Sequence, residues 1–139
     1  MKIIRIRKGN GKYRVVYVPD TGLKRKLKAL LPPIAERARQ SDTHGVSHGF
    51  TTGRSPVTNA LMHVGYAYSL CFDLADFFDS VRGAHLGKVY PGGWSAATTA
   101  LVLVDGAPRQ GLSTSPAIAN IAAAPMDAEI MRYRVPGRF

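Results

Sequence analysis

Apolar and polar positions near the start of the chain follow a period of two. Residues 2–7 alternate charged and apolar side chains, Gly9-Asn10-Gly11 is a strong turn signal, and residues 13–18 are rich in Val and Tyr. We therefore predict a two-stranded antiparallel hairpin with a basic tip. Such a hairpin suits closure over phosphates, because Arg presents a planar fork and Lys a point charge. Alternatively, its charges protect the hairpin edges from aggregation.

After Asp20-Thr21-Gly22, the spacing of apolar residues becomes that of a helix. Four leucines between residues 23 and 31 predict a helix that Pro32-Pro33 ends, and a second short helix follows over 34–39. The remaining pattern predicts a loop over 41–55, helices over 57–65 and 95–104, loop-like chain over 83–93, and a long helix after Ser113 or Thr114 that Pro125 kinks or splits. The fold class is therefore α+β, with few strands.

The stretch Ser69–Val81, SLCFDLADFFDSV, carries the clearest candidate chemistry. We predict a strand over Tyr68–Asp73, followed by two acids and two aromatic residues. A carboxylate at the end of a buried strand needs a compensating partner, and in a basic chain this favours a divalent metal brought to a phosphate-rich substrate. Alternatively, Asp76 caps a helix whose Phe77 and Phe78 belong to the core.

Two further groups of polar residues have more than one interpretation. Arg54, between Gly53 and Ser55, is placed to meet a phosphate or to lock its loop to the core. Asn59 and His63 are four residues apart and share one face of the predicted helix. A structural hydrogen-bond network is the usual explanation for such a pair when it is buried.

The net charge of the chain restricts the class of molecule that it is expected to bind. The chain has 19 Lys and Arg against 9 Asp and Glu, a net charge of +10. Most of the excess lies in the first 40 residues, at Lys2, Arg5, Arg7, Lys8, Lys12, Arg14, Lys24, Arg25, Lys26, Lys28, Arg37 and Arg39. This favours a polyanion, nucleic acid rather than a membrane, because no long basic amphipathic helix stands out. Alternatively, these residues form a solvated face.

Length and cysteine content restrict the organisation. At 139 residues the chain is one domain or part of one. A single cysteine, Cys71, excludes a disulfide framework and a Cys-based zinc site. It is typical of a reducing, cytoplasmic environment. No signal peptide is visible, and no apolar run reaches the ~18 residues of a membrane span.

Four sequence blocks in a fixed order resemble a known family. They are the basic hairpin, HGFTTGRSPVTNALMH (48–63), FDLADFFDSV (72–81) and RQGLSTSPAIANI (109–121). Over residues 12–133 they resemble the catalytic core of reverse transcriptases, most closely the bacterial retron-type enzymes, whose Asn-Ala-x-x-His element matches 59–63. The resemblance implies fingers over residues 1–55 and a partial palm over 56–139, with an incomplete antiparallel sheet packed on helices.

The resemblance also implies roles for individual residues. Asp73 corresponds to the first metal-binding aspartate, joined by the Leu74 backbone carbonyl, and Phe78 to the aromatic gate that excludes ribonucleotides. Further positions correspond to the nucleotide-binding group Arg14, Arg7, Lys8, Asp76, Phe77, Gln110 and Gly111, and to template, primer or structural positions Arg54, Asn59, His63, Ser115, Pro116 and Asn120. Two Mg²⁺ ions, dNTP, an RNA template and a DNA primer are the implied cofactors and partners. A structured non-coding RNA and a role in antiviral defence are also associated with this family.

The chain departs from the family pattern in one respect. The family has a Tyr-x-Asp-Asp turn that supplies two further carboxylates, and this chain contains no such tetrapeptide. One aspartate does not hold two metal ions, so we expect the polypeptide alone to be a very poor polymerase. Three explanations stay open: a truncated chain, one half of a split enzyme whose second polypeptide carries the missing palm and thumb, or a non-catalytic nucleic-acid-binding module.

Overall fold

The computed structural model describes residues 1–9, 11–89 and 94–133, without the side chains of residues 87–89. The elements, in chain order, are β1 (Lys2–Arg7), β2 (Tyr13–Val18), α1 (Thr21–Ser41), α2 (Pro56–Leu61), α3 (Phe77–Ser80), α4 (Gly83–Val89), α5 (Ala96–Val102) and α6 (Ser115–Arg132). These described residues form a mixed α+β structure, which confirms the predicted fold class. None of their helices is long and apolar enough to cross a membrane.

The predicted basic hairpin is confirmed. Strands β1 and β2 pair antiparallel, with Lys2 opposite Val18 and Arg7 opposite Tyr13. The connection closes through the Lys8 amide, which donates to the Lys12 carbonyl at 2.7 Å, and Gly11 takes the positive φ of 78° that the turn requires. These are the strands of the two-stranded sheet in the described part of the chain.

Helix α1 is longer than predicted. The expected break at Pro32-Pro33 is wrong, because both prolines lie inside one continuous helix. A proline inside a helix costs ~3 kcal/mol. Burial offsets this cost, since Leu27, Ile34 and Ala38 on both sides of the prolines face the core. The helix starts at Asp20, whose side chain accepts the Leu23 amide at 2.9 Å.

The predicted strand over Tyr68–Asp73 is wrong. The chain there is irregular, and Tyr68 and Leu70 are 92% and 88% exposed. A strand needs a neighbour to satisfy its backbone N–H and C=O groups, and no described segment pairs with this one. The apolar run is of strand type, but no described segment lies beside it to form a ladder.

Three further predictions, on one loop and two helices, also need correction. Residues 83–89 of the expected loop form α4, while residues 90–93 lie outside the described residues. Helix α2 ends at Leu61 rather than near Gly65. Helix α6 runs without a break through Pro125 to Arg132, so the predicted splitting is wrong.

The core lies between α1 and α6, with α4 and α5 packed around them. Its fully buried side chains include Leu27, Val102, Ile118 and Ile121. Ser95 caps α5 by accepting the Thr98 amide at 3.1 Å, as its position before an apolar run predicts. The Asp105-Gly106 turn that follows closes through a Val104–Ala107 bridge and leads back towards the hairpin.

Candidate functional site

The β1–β2 hairpin and helix α1 carry exposed basic residues, together called the basic surface. Its members share exposure to solvent and the absence of an acidic partner within the described ranges; they are Lys2, Arg5, Arg7, Lys8, Arg14, Lys24, Arg25, Lys26 and Lys28. Arg39 differs, because its guanidinium bonds both oxygens of Glu36 and lowers the pKa of that carboxyl to about 2. The basic surface therefore carries charge that is free to meet phosphates.

The register of the hairpin separates two of the predicted nucleotide-binding residues. Arg14 stands opposite Ile6, whereas Arg7 stands opposite Tyr13. Directly opposed residues share a face and neighbouring residues alternate, so Arg7 and Arg14 lie on opposite faces of the hairpin. Lys8 follows Arg7 in the connection. Arg7 and Arg14 therefore do not lie side by side. They could contact the same anion only from opposite faces of the hairpin.

Asp73 lies in the irregular segment before α3 and is exposed, as are Leu74 and Asp76. Asp76 takes a left-handed backbone conformation with φ 49° and makes no side-chain capping bond, although it occupies the position before α3. Phe77 and Phe78 follow, with ring centroids 6.2 Å apart. Phe77 packs against the core, and Phe78 is half-buried. The capping interpretation of Asp76 is therefore not supported by its side chain.

Gln110 and Gly111 meet the hairpin directly. The Tyr17 amide donates to the Gln110 carbonyl at 2.7 Å. Gly111 has a φ of 101°, and a Cβ built there would lie 2.2 Å from the Tyr17 carbonyl oxygen. Only glycine fits this position, because the turn requires both the positive φ and the close approach of two backbones. The contact joins the hairpin to the turn before α6.

Arg109 is a residue whose importance the sequence reasoning missed. Its Nε donates to the Val104 carbonyl at 3.0 Å, Nη1 bonds the Asp79 carboxylate, and Nη2 lies 3.5 Å from Asp105. The guanidinium also stands over the Tyr17 ring, 5.6 Å from its centroid. Its side chain is 15% exposed. The only sequence signal is an Arg beside Gln-Gly, since its partners lie up to 92 positions away, from Arg109 to Tyr17.

Arg54 locks its loop to the rest of the chain, one of the two alternatives predicted for it. Nη1 bonds the Asp42 carboxylate at 2.8 Å and the Ser47 carbonyl at 2.7 Å. The same carboxylate accepts the amides of Val46 and Ser47. Asp42 therefore organises the loop, and Arg54 neutralises it. These bonds commit Nη1 to the loop, and a phosphate contact of Arg54 stays a prediction.

Asn59 and His63 border a cavity of about 560 Å³ between α2, residues 66–70 and the end of α6. Both side chains are exposed, so the expected buried network is wrong; α2 ends before His63. His48 Nδ1 lies 2.8 Å from Thr58 Oγ1 at the same cavity, while its Nε2 is buried without a partner in the described residues. Burial, helped by the Asp42 charge, raises the pKa of Asp127 on the opposite wall.

The three residues predicted on the last helix, Ser115, Pro116 and Asn120, all lie on α6. Ser115 is buried in the core. Pro116 occupies the first turn of α6. The Asn120 side-chain amide donates to the Gly49 carbonyl at 2.8 Å, which ties the loop over 42–55 to α6.

The residues present do not by themselves fit two Mg²⁺ ions. Magnesium takes oxygen ligands in octahedral geometry, and a two-ion site needs several carboxylates. Asp73 and the Leu74 carbonyl would supply only one carboxylate and one carbonyl oxygen to that set. Among the described residues, no group of three or more His, Cys, Asp or Glu is placed to hold a metal ion.

Sequence comparison supplies an independent observation. The chain is 34% identical to the Retron Mx162 reverse transcriptase of Myxococcus xanthus over 123 residues, which is 86% of this chain. The chain spans only 25% of that relative's length. No family model matches the chain. The comparison supports a relationship between this protein and the reverse transcriptases.

Proposed function

We propose that this chain forms the fingers and first part of the palm of a retron-type reverse transcriptase, an RNA-directed DNA polymerase. The observation that carries the proposal is the 34% identity to a retron reverse transcriptase across 86% of the chain. The four ordered sequence blocks and the exposed basic hairpin support it. Its substrates are an RNA template, a DNA primer and dNTP, and a structured non-coding RNA and a role in antiviral defence follow from the same relationship.

In the complete enzyme, Asp73 with the Leu74 carbonyl would contribute ligands to the Mg²⁺ ions that nucleotidyl transfer requires. The other carboxylates would come from a Tyr-x-Asp-Asp segment, in the same polypeptide or in a second one. Phe78 would lie against the sugar of the incoming nucleotide, and Arg14 would neutralise its triphosphate. The chain of 139 residues alone is expected to bind nucleic acid and to polymerise very poorly.

The first test measures binding of the purified chain to an RNA–DNA hybrid at several salt concentrations. We expect affinity to fall with salt, because phosphate contacts release counterions. The double variant Arg7→Gln/Arg14→Gln should weaken binding and reduce the salt slope by about one per lost contact. The matched control, Arg82→Gln/Arg132→Gln, removes equal charge from outside the hairpin and should bind almost as the parent does. Equal effects of the two double variants would refute the hairpin interface.

The second test uses the chain continued through, or combined with, a segment carrying Tyr-x-Asp-Asp. Asp73→Asn should abolish primer extension while hybrid binding survives, whereas Glu129→Gln, an equal change of charge on α6, should leave both unchanged. Phe78→Ala should admit ribonucleotides. Retained extension by Asp73→Asn, or unchanged sugar discrimination by Phe78→Ala, would contradict the assigned roles.

An alternative is a nucleic-acid-binding module without chemistry. The observation that favours it is the exposed basic hairpin, whose charge can meet phosphates without a metal ion. This alternative predicts hybrid binding by the chain, but no extension in any combination with a Tyr-x-Asp-Asp segment. The two tests therefore separate the candidates.

A further inference from the structure

Arg109 joins three parts of the chain that are distant in sequence. Its guanidinium contacts the Val104 carbonyl in its own turn, Asp79 in α3 and the Tyr17 ring in β2. Asp79 is 61% exposed and Arg109 only 15%, so the arginine is the packed member of the ion pair. We propose that Arg109 is a positioning residue that holds the β1–β2 hairpin and the Asp76–Ser80 turn in a fixed relation to each other.

The hairpin meets the rest of the chain mainly along β2. Among its described residues, Val16 and Tyr17 are half-buried where the strand meets Gln110 and Gly111, and the others are exposed. A further tie is at its base, where the amino terminus of Met1 pairs with Asp20 at 3.3 Å. The orientation of the hairpin therefore depends on the turn that carries Arg109.

Arg109 also holds the turn at α3. Helix α3 has four residues and its first position follows the left-handed Asp76, so it has little stability of its own. The bond from Arg109 reaches Asp79 in the middle of α3, one residue after Phe78. A guanidinium suits this junction, because it bonds a carboxylate and a carbonyl in its plane while its face stacks on an aromatic ring.

Through these contacts, Arg109 is expected to affect the binding of nucleic acid. The proposed function places Arg14 on the hairpin and Asp73 and Phe78 beside the α3 turn, and the inference rests on that proposal for its functional meaning. Loss of Arg109 should leave the core folded, while the α3 turn opens more often and the hairpin moves more freely against it. The geometric claim, however, is measurable without any ligand.

The experiment measures amide hydrogen exchange of the full 139-residue chain and three variants. For Arg109→Met we expect exchange to accelerate about tenfold at the Tyr17 amide, which bonds Gln110, and at the Ser80 and Val81 amides of the α3 turn. The Ile118 amide in α6 should change less than twofold. The control Arg132→Met, which removes an exposed ion pair with Glu129, should change none of these amides.

Arg109→Lys separates positioning from general stabilisation. Lysine keeps a positive charge near Asp79 but does not bond Val104 and cover the Tyr17 ring at once. We expect exchange in the α3 turn to return towards the parent rate while Tyr17 stays fast. Parent-like exchange at Tyr17 and α3 in Arg109→Met would overturn the proposal, as would equal acceleration at Ile118.

Hybrid binding provides the functional arm. Arg109→Met should bind an RNA–DNA hybrid about fivefold more weakly than the parent, with an unchanged salt slope, because no phosphate contact is removed. Parent-like affinity, together with faster exchange, would overturn the positioning role in binding while the proposed function stands. If the parent itself does not bind the hybrid, the proposed function fails, and the exchange result alone decides whether Arg109 holds the two parts together.

Discussion

The turn and helix over residues 101–121 differ sharply from the segment over residues 66–74. The first, here called the buried unit, contains Val102, Leu112, Ile118 and other core side chains with almost no exposure. The second, the open segment, has a higher proportion of apolar residues, seven of nine against ten of twenty-one, but leaves Tyr68, Leu70 and Phe72 exposed. Both carry residues that the family resemblance assigns to the polymerase site, yet the buried unit packs into the core whereas most residues of the open segment are exposed.

The difference shows what each kind of element needs. A helix satisfies its backbone hydrogen bonds within one segment, so α6 requires only an apolar face and a partner to bury it. An extended segment satisfies half of its backbone groups only through a neighbouring strand. The alternating residues of the open segment therefore give no strand, although their pattern is the one that a strand requires.

The largest expected effect compares one aliphatic side chain from each region. Ile118→Ala should lower the free energy of unfolding by about 3 kcal/mol, because Ile118 is fully buried and the change leaves a cavity. Leu70→Ala, at 88% exposure, should change it by less than about 0.5 kcal/mol. Urea unfolding of both variants checks this. A loss above 1 kcal/mol at Leu70 would mean, on the scale of surface changes, that the open segment is packed in solution.

The next largest effect concerns the contact between the buried unit and the hairpin. Gly111→Ala should destabilise the chain by about 2–3 kcal/mol, because the new Cβ meets the Tyr17 carbonyl and the residue is forced to a positive φ. Gly106→Ala is the matched control, since its φ is 73° but the space around it is open. It should cost about 1 kcal/mol from backbone strain alone. Equal losses would contradict the close approach at Gly111.

A smaller effect is expected for the loop over residues 42–55. Arg54→Met should cost about 1–2 kcal/mol, because Asp42, whose side chain is only 10% exposed, loses its cation. Arg132→Met removes an exposed pair on α6 and should cost less than about 0.5 kcal/mol. Thermal unfolding in low and high salt distinguishes them. Parent-like stability of Arg54→Met would refute the lock that Arg54 forms.

The smallest effect is a pH dependence at the cavity beside the open segment. Burial raises the pKa of Asp127 in the folded chain, with a contribution from Asp42, so the folded state keeps the proton to a higher pH than the unfolded chain. The free energy of unfolding therefore falls as pH rises from about 3.8 through the raised pKa, and the loss persists above it.

Asp127→Asn should remove that loss, so the difference in stability between variant and parent should grow with pH across this window. Glu36→Gln provides a contrast of opposite sign. The bonds from Arg39 and Gln40 lower the pKa of Glu36 to about 2, so its contribution is present above about 4.5 and disappears towards pH 2. Denaturant unfolding between pH 2 and 8 measures both. A pH-independent difference for Asp127→Asn would contradict its partial burial.

Local sequence patterns were sufficient to predict the elements whose hydrogen bonds form within a few residues. The tight connection between β1 and β2 and the long helix after Thr114 were both predicted, because turn and helix-start signals act within a few residues. Asp73 and the basic hairpin were also identified from sequence, by charge and by resemblance. Their proposed roles in catalysis stay predictions.

Tertiary structure decided the remainder. Prolines 32 and 33 do not end α1, because burial of Leu27 and Ile34 outweighs the lost helical bonds. The Tyr68–Asp73 strand does not form, because a ladder is a property of two segments. Arg109 gains its importance from partners in β2 and α3 that no spacing relates to it. The sequence by itself determined charge, turns and helical faces, whereas only folding determined which distant groups came within bonding distance.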